Sequence, residues 1–193
     1  MVCVSTQSSP QPSARQPAPG ELGVVQAFVN TVDLESGIDK LGCPEALRAW
    51  FVDQGLMEPT SQVSDGDFRL VIQVREALRA LAFANHHGES DAAPVQALNR
   101  VAESARVVVR FQMGGHARLE PQVPGVDGAL GRILGIVYTS MVRGTWHRLK
   151  ACRRDTCRWL YYDRSKNRSS SWCAMAVCGN REKAKAYRRR HAR

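Results

Sequence analysis

Four cysteines near the C-terminus constrain this chain more than any other feature, spaced Cys152-x4-Cys157-x15-Cys173-x4-Cys178. Two cysteines that close in sequence can turn both sulfurs onto one ion from a tight knuckle. Two such knuckles complete a tetrahedral four-sulfur shell with no open position, which suits a structural metal rather than a catalytic one. Two disulfides, an iron–sulfur centre or a redox switch are the competing uses of four thiols. Disulfides need an oxidising compartment, yet residues 1–20 contain no apolar signal core and no later stretch is apolar for a bilayer's thickness. The expectation is therefore a cytoplasmic chain with reduced thiols, zinc as the metal, and no membrane partner. Cys3 and Cys43 stand alone and are expected to be incidental or packing residues.

Charge singles out the same region. Residues 1–147 carry 12 Lys and Arg against 15 Asp and Glu, whereas residues 148–193 carry 15 against 3, so the net +9 arises from the C-terminal part. Only that part has a field that draws a polyanion. A segment this short is also near the lower limit for burying its own core, and a metal would staple it.

Elsewhere the pattern is helical. Residues 1–20 are rich in Ser, Pro and Gln and read as a disordered leader. Leu22, Val25, Phe28, Val29 and Val32 recur at helical spacing, and Pro44-Glu45 opens a second helix carrying Leu47, Trp50 and Phe51 inward. Residues 67–85 form the longest amphipathic stretch of the first half, ending at His86-His87-Gly88 with glycine as the left-handed cap. The adjacent histidines have no spaced partner and do not read as ligands. Another helix spans Pro94 to about Ser104, and a hairpin runs through Gly114-Gly115 between 107–112 and 116–122. Residues 127–150 read as one long helix feeding into Cys152, interrupted by Gly131, Gly135 and Gly144, which weaken it or permit close packing. The expected fold is mainly α: a helical domain with a β-hairpin at 21–147, then a small α+β zinc finger of treble-clef or ribbon type at 148–193.

Within the finger, Arg153, Arg154 and Arg158 flank the first knuckle, where they can screen thiolates or reach phosphate. The loop from Asp163 to Ser171 offers Arg164, Lys166, Asn167 and Arg168 to phosphate oxygens. Arg181, Lys185, Arg188 and Arg189 fall on one face of a helix beginning near Cys178, and Asn180 and Arg181 suit bidentate contacts with adenine and guanine edges. The structural alternative has Asn180 capping that helix and Arg181 covering the thiolates. Trp172, Met175, Val177 and Tyr187 are expected to supply apolar packing. In the helical domain, Asn30, Thr31 and Asp33, with Arg75 and Arg79, form a candidate small-molecule pocket, whose plainer alternative is helix capping and ion pairing.

The run Arg148-Leu149-Lys150-x-Cys152, Trp159-x-Tyr161-Tyr162-Asp163, Ser165-x-Asn167-Arg168 and Trp172-Cys173-x-Met175-x-x-Cys178-Gly179-Asn180-Arg181 resembles the CGNR zinc finger family. Upstream, Phe28-Val29-Asn30-Thr31-Val32-Asp33 and Pro44-x-x-Leu47-x-x-Trp50 resemble the ABATE domain that precedes this finger in bacterial proteins. The resemblance covers about residues 22–190 and implies a stress-induced transcriptional regulator of bacteria, with a mainly helical N-terminal domain and a DNA-binding finger. DNA is thus the expected partner, joined by a small-molecule ligand or homo-oligomer contacts of the helical domain. RNA or ribosome binding, a thiol redox sensor, and an enzyme in the helical domain are the alternatives. No nucleophile elbow, phosphate loop or spaced His/carboxylate set supports the last, and the chain is read as a non-enzyme.

Overall fold

The computed structural model describes residues 16–86, 88 and 91–191. Its helices follow local signals. In α3 (Asp65–Ala84), Ser64 accepts the Asp67 N–H while the Asp67 carboxylate accepts the Ser64 N–H, a reciprocal cap at the start of the helix. Gly88 closes its other end at φ +81°, donating its N–H to the Ala84 carbonyl at 2.7 Å. Proline opens α2 (Pro44–Asp53), where its missing N–H costs no hydrogen bond. The remaining helices of this part are α1 (Leu22–Val29), α4 (Ala92–Ser104) and α5 (Gly125–Val142). α3 packs on α4, and α1 on both α3 and α5.

Among the described residues, three antiparallel hairpins complete the mainly α fold: β1 (Val32–Asp33) with β2 (Ile38–Asp39), β3 (Val108–Gln112) with β4 (His116–Glu120), and β5 (Leu149–Ala151) with β6 (Leu160–Tyr162). The last is a shared wall. Strand alternation turns Leu149, Ala151 and Leu160 toward the helices, where they join the core of Val25, Phe28, Phe51, Leu78 and Ile133. The opposite face, with the cross-strand pair Lys150 and Tyr161, belongs to the cysteine region, and Tyr161 packs with Cys152, Cys157, Trp159, Cys173, Ala174 and Cys178.

Several expectations change. The helix read as 127–150 ends at Val142, because Gly144 adopts φ +67° and a 3₁₀ turn over Trp146–Arg148 redirects the chain into β5. Gly131 instead mediates close approach: a Cβ there would lie 2.8 Å from the Ala105 Cβ and 2.9 Å from the Pro121 Cβ. Of the expected leader, residues 1–15, Cys3 among them, lie outside the described residues, as does His87. Residues 16–20 pack onto the fold, with Ala18 buried and its N–H donated to the Gln26 side-chain oxygen. Cys43 is half-buried at the N-cap of α2.

Candidate metal centre and cationic helix

Each knuckle is built by local backbone geometry. The first sits in the turn of the β5–β6 hairpin, where the N–H groups of Cys157 and Arg158 both donate to the Arg154 carbonyl and Arg158 takes φ +46° to rejoin the strand. The second closes through a π-type turn over Met175–Gly179, whose Gly179 N–H reaches back five residues to the Ala174 carbonyl. That five-residue reach matches the five-residue step from Cys173 to Cys178. A Cβ at Gly179 would lie 2.3 Å from the Met175 sulfur and 3.1 Å from the Trp172 ring, so a side chain there would displace the Met175 thioether. A helix, α6 (Asn180–His191), follows immediately. Of the two expected finger types, a hairpin knuckle followed by a knuckle leading a helix is treble-clef-like.

All four thiols are free and buried, and their sulfurs lie within 4.8 Å of one another. Two edges, Cys157 to Cys173 and Cys173 to Cys178, measure 3.7 Å. A tetrahedron of thiolates about 2.3 Å from a zinc ion has edges of about 3.8 Å, so this donor set fits a zinc-sized ion. Hydrogen bonds from the Cys157 and Cys173 thiols draw the Cys152 thiol down to about 4, and the same bonds push those two partners up. A cation bound here takes the place of the protons the thiols share.

A second charged centre adjoins it. Asp163, with no exposed surface, accepts from the Lys150 ammonium at 2.9 Å, from the Ser165 hydroxyl at 2.6 Å and from the Ser170 N–H at 3.1 Å. Tyr161 donates its hydroxyl to the Ser170 carbonyl, and burial pushes its pKa up. The basic loop is thereby held in shape at both ends.

The sequence-predicted polyanion contacts divide into three sets. Arg153, Arg164, Lys166, Asn167 and Arg168 are exposed around the first knuckle and the loop, although Arg164 also donates to the Pro17 carbonyl. Asn180, Arg181, Lys185, Arg188 and Arg189 are exposed on α6, a helix without a single buried residue. Asn180 donates back to the Ala176 carbonyl and makes no cap. Arg158 is corrected: it turns inward, its guanidinium 4.0 Å from the Phe83 ring centre, and it pairs with Asp155. Arg154 also points partly inward, to Glu35. Among the expected packing residues Tyr187 is exposed and stacks on His191, and Met175 is more than half exposed, whereas Trp172 and Val177 pack on the cysteine cluster.

Two family models match. The CGNR zinc finger covers residues 148–191, and ABATE, described as "Putative stress-induced transcription regulator", covers residues 23–143. The chain belongs to the ABATE family. No curated protein matches it. In this ABATE protein the family boundary falls just before β5, but the packing crosses it, since both strands of the finger's hairpin enter the ABATE core.

Of the five residues read as a ligand pocket, Asn30 and Arg79 bond across that junction, while Thr31, Asp33 and Arg75 bond within ABATE. The Asn30 amide donates to the Leu160 carbonyl and accepts the Leu160 N–H, both at 2.8 Å, pairing with β6 as a neighbouring strand would. Arg79 joins the Val29 carbonyl at 2.7 Å to the Arg158 carbonyl at 3.0 Å. Arg75 grips Asp39 with two bonds of 2.8 Å and also reaches the Thr31 hydroxyl. Asp33 accepts the Glu35 N–H at 2.9 Å and shapes the β1–β2 turn. Only Asn30 and Thr31 of the five line the nearby cavity of about 330 Å³, which they share with Gln26, Lys40, Trp50 and Trp159. In sequence, polar side chains satisfied across a domain junction look like side chains waiting for a ligand. Gln26, which bonds the Leu160 carbonyl at 3.1 Å, was a missed partner and carries no motif.

Proposed function

We propose that this ABATE protein is a zinc-containing, DNA-binding transcription regulator whose CGNR finger docks on duplex DNA. The carrying observation is α6: a helix led by the four-sulfur cluster, with Arg181, Lys185, Arg188 and Arg189 exposed and no side chain buried. A helix of 12 residues, rich in Ala, Lys and Arg, is marginal alone in water and gains stability from a surface to lie against. Its charge names that surface as a polyanion. Cys152, Cys157, Cys173 and Cys178 hold the ion, whose contribution is to neutralise the thiolates and tie the two knuckles together. The ABATE helices supply a rigid mount through the shared hairpin, and no catalytic step is assigned to them.

Fluorescence anisotropy with a labelled duplex tests this. Affinity is expected to fall steeply with salt, by roughly tenfold or more between 50 and 200 mM, and to be lost on chelating the metal. A flat salt response, or full binding without metal, contradicts the proposal. One observation favours RNA as a second reading: Tyr162, Trp172 and Arg164 line a cavity of about 270 Å³ beside the cysteine cluster, large enough for an unstacked base. Tighter binding of structured RNA than of duplex DNA would select it.

A further inference from the structure

Glu35 lies at the tip of the β1–β2 turn, and its carboxylate meets two of the finger's arginines read above as polyanion contacts. Arg154 approaches both of its oxygens at 3.1 Å, and Arg181 pairs with one of them. Both arginines belong to the finger, while Glu35 belongs to ABATE, 119 residues earlier in sequence than Arg154 and 146 earlier than Arg181. Arg181 is the last residue of the Cys-Gly-Asn-Arg tetrapeptide, three positions beyond the cluster residue Cys178. Two guanidiniums beside a sulfur cluster make an anion subsite, and a carboxylate presents oxygens much as a phosphodiester does. The subsite is therefore already filled from within the molecule.

The turn that fills it is built for the purpose. Asp33 accepts the N–H groups of Glu35 and Ser36, Gly37 takes φ +74°, and the Gly37 N–H returns to the Asp33 carbonyl at 2.8 Å. Arg75 ties the far strand down through Asp39. Glu35 thus stands on a braced turn, yet its side chain is 40% exposed, and that of Arg181 is 53% exposed. Solvent and a competing anion reach the pair. Pairs this open are weak enough to exchange partners.

Resting on the DNA-binding reading, we propose that Glu35 is a tethered competitor: it occupies the phosphate subsite of Arg154 and Arg181, and duplex DNA must displace it to dock. The ABATE domain thereby restrains its own finger, and whatever shifts the β1–β2 turn sets how much.

Duplex binding is compared for wild type, Glu35→Gln, and Glu103→Gln, an exposed carboxylate on α4 that gives the baseline for losing one negative charge. Glu35→Gln is expected to bind about three- to tenfold tighter than Glu103→Gln, and to lose most of that gain when combined with Arg181→Gln. In wild type, hydrogen exchange at residues 34–38 is expected to speed up when duplex is added. Equal affinities of the two glutamine variants, or weaker binding by Glu35→Gln, overturn the competitor while leaving DNA binding intact. Unchanged exchange at the turn on saturation with duplex overturns it as well, independently of any variant. Absence of duplex binding by every form removes the function on which it rests.

Discussion

At the scale of single residues, Asp163 does more than its place in a basic loop suggests. Burial pushes its pKa up, but the bonds from Ser165 and the Lys150 ammonium outweigh this and hold it at about 2, below its ordinary 3.8. A carboxyl depressed on folding stabilises the native state above its unfolded pKa and stops doing so as pH falls through the folded one. The stability advantage of wild type over Asp163→Asn is thus expected to shrink by about 2 kcal/mol as pH drops from 5 to 2, measured by urea unfolding. A difference that stays constant over that range would mean Asp163 is not held ionised. None of this was legible beforehand. Its partners lie 13 residues before it and 2 and 7 after it, and such spacings follow no helical or strand period. The cysteines were legible because a knuckle closes within six residues.

At the scale of elements, the glycines of the 127–150 stretch divide by role. Gly144 ends α5 by taking a left-handed backbone, whereas Gly131 lets α5 approach Ala105 and Pro121 more closely than any side chain would allow. Gly131→Val is expected to destabilise the fold by about 1–3 kcal/mol through overpacking, read as a lowered urea midpoint with an unchanged slope. The periodicity of the stretch was sound up to Val142. Beyond it Trp146 and Leu149 kept a helical spacing while the chain had already turned, since an apolar residue three or four positions on serves a following strand equally well. α6 was readable throughout, because its alanines, lysines and arginines rank high in helix propensity.

Across the whole molecule, the finger is a graft rather than an appendage. Leu149, Ala151 and Leu160 are fully buried in the helical core, and Asn30 and Arg79 hold the carbonyls of Leu160 and Arg158. The metal, by contrast, would hold only the second, smaller cluster. Chelation is therefore expected to raise hydrogen exchange across residues 152–157 and 171–191 while the amides of α1, α3 and α5 stay protected. Cooperative loss of protection in those helices would show that the two parts stand or fall together.

The sequence by itself determined the local chemistry: four thiols at knuckle spacing, a cationic helix behind them, and amphipathic helices ahead, all signals that act within a few residues of the chain. Only the tertiary structure decided which arginines face outward, that Arg158 lies on Phe83, and that Glu35 fills the site between Arg154 and Arg181. The reason is physical. Knuckles, caps and helical faces are set by backbone geometry over three to five residues, whereas a charge finds its partner across the fold only after packing has brought distant turns together.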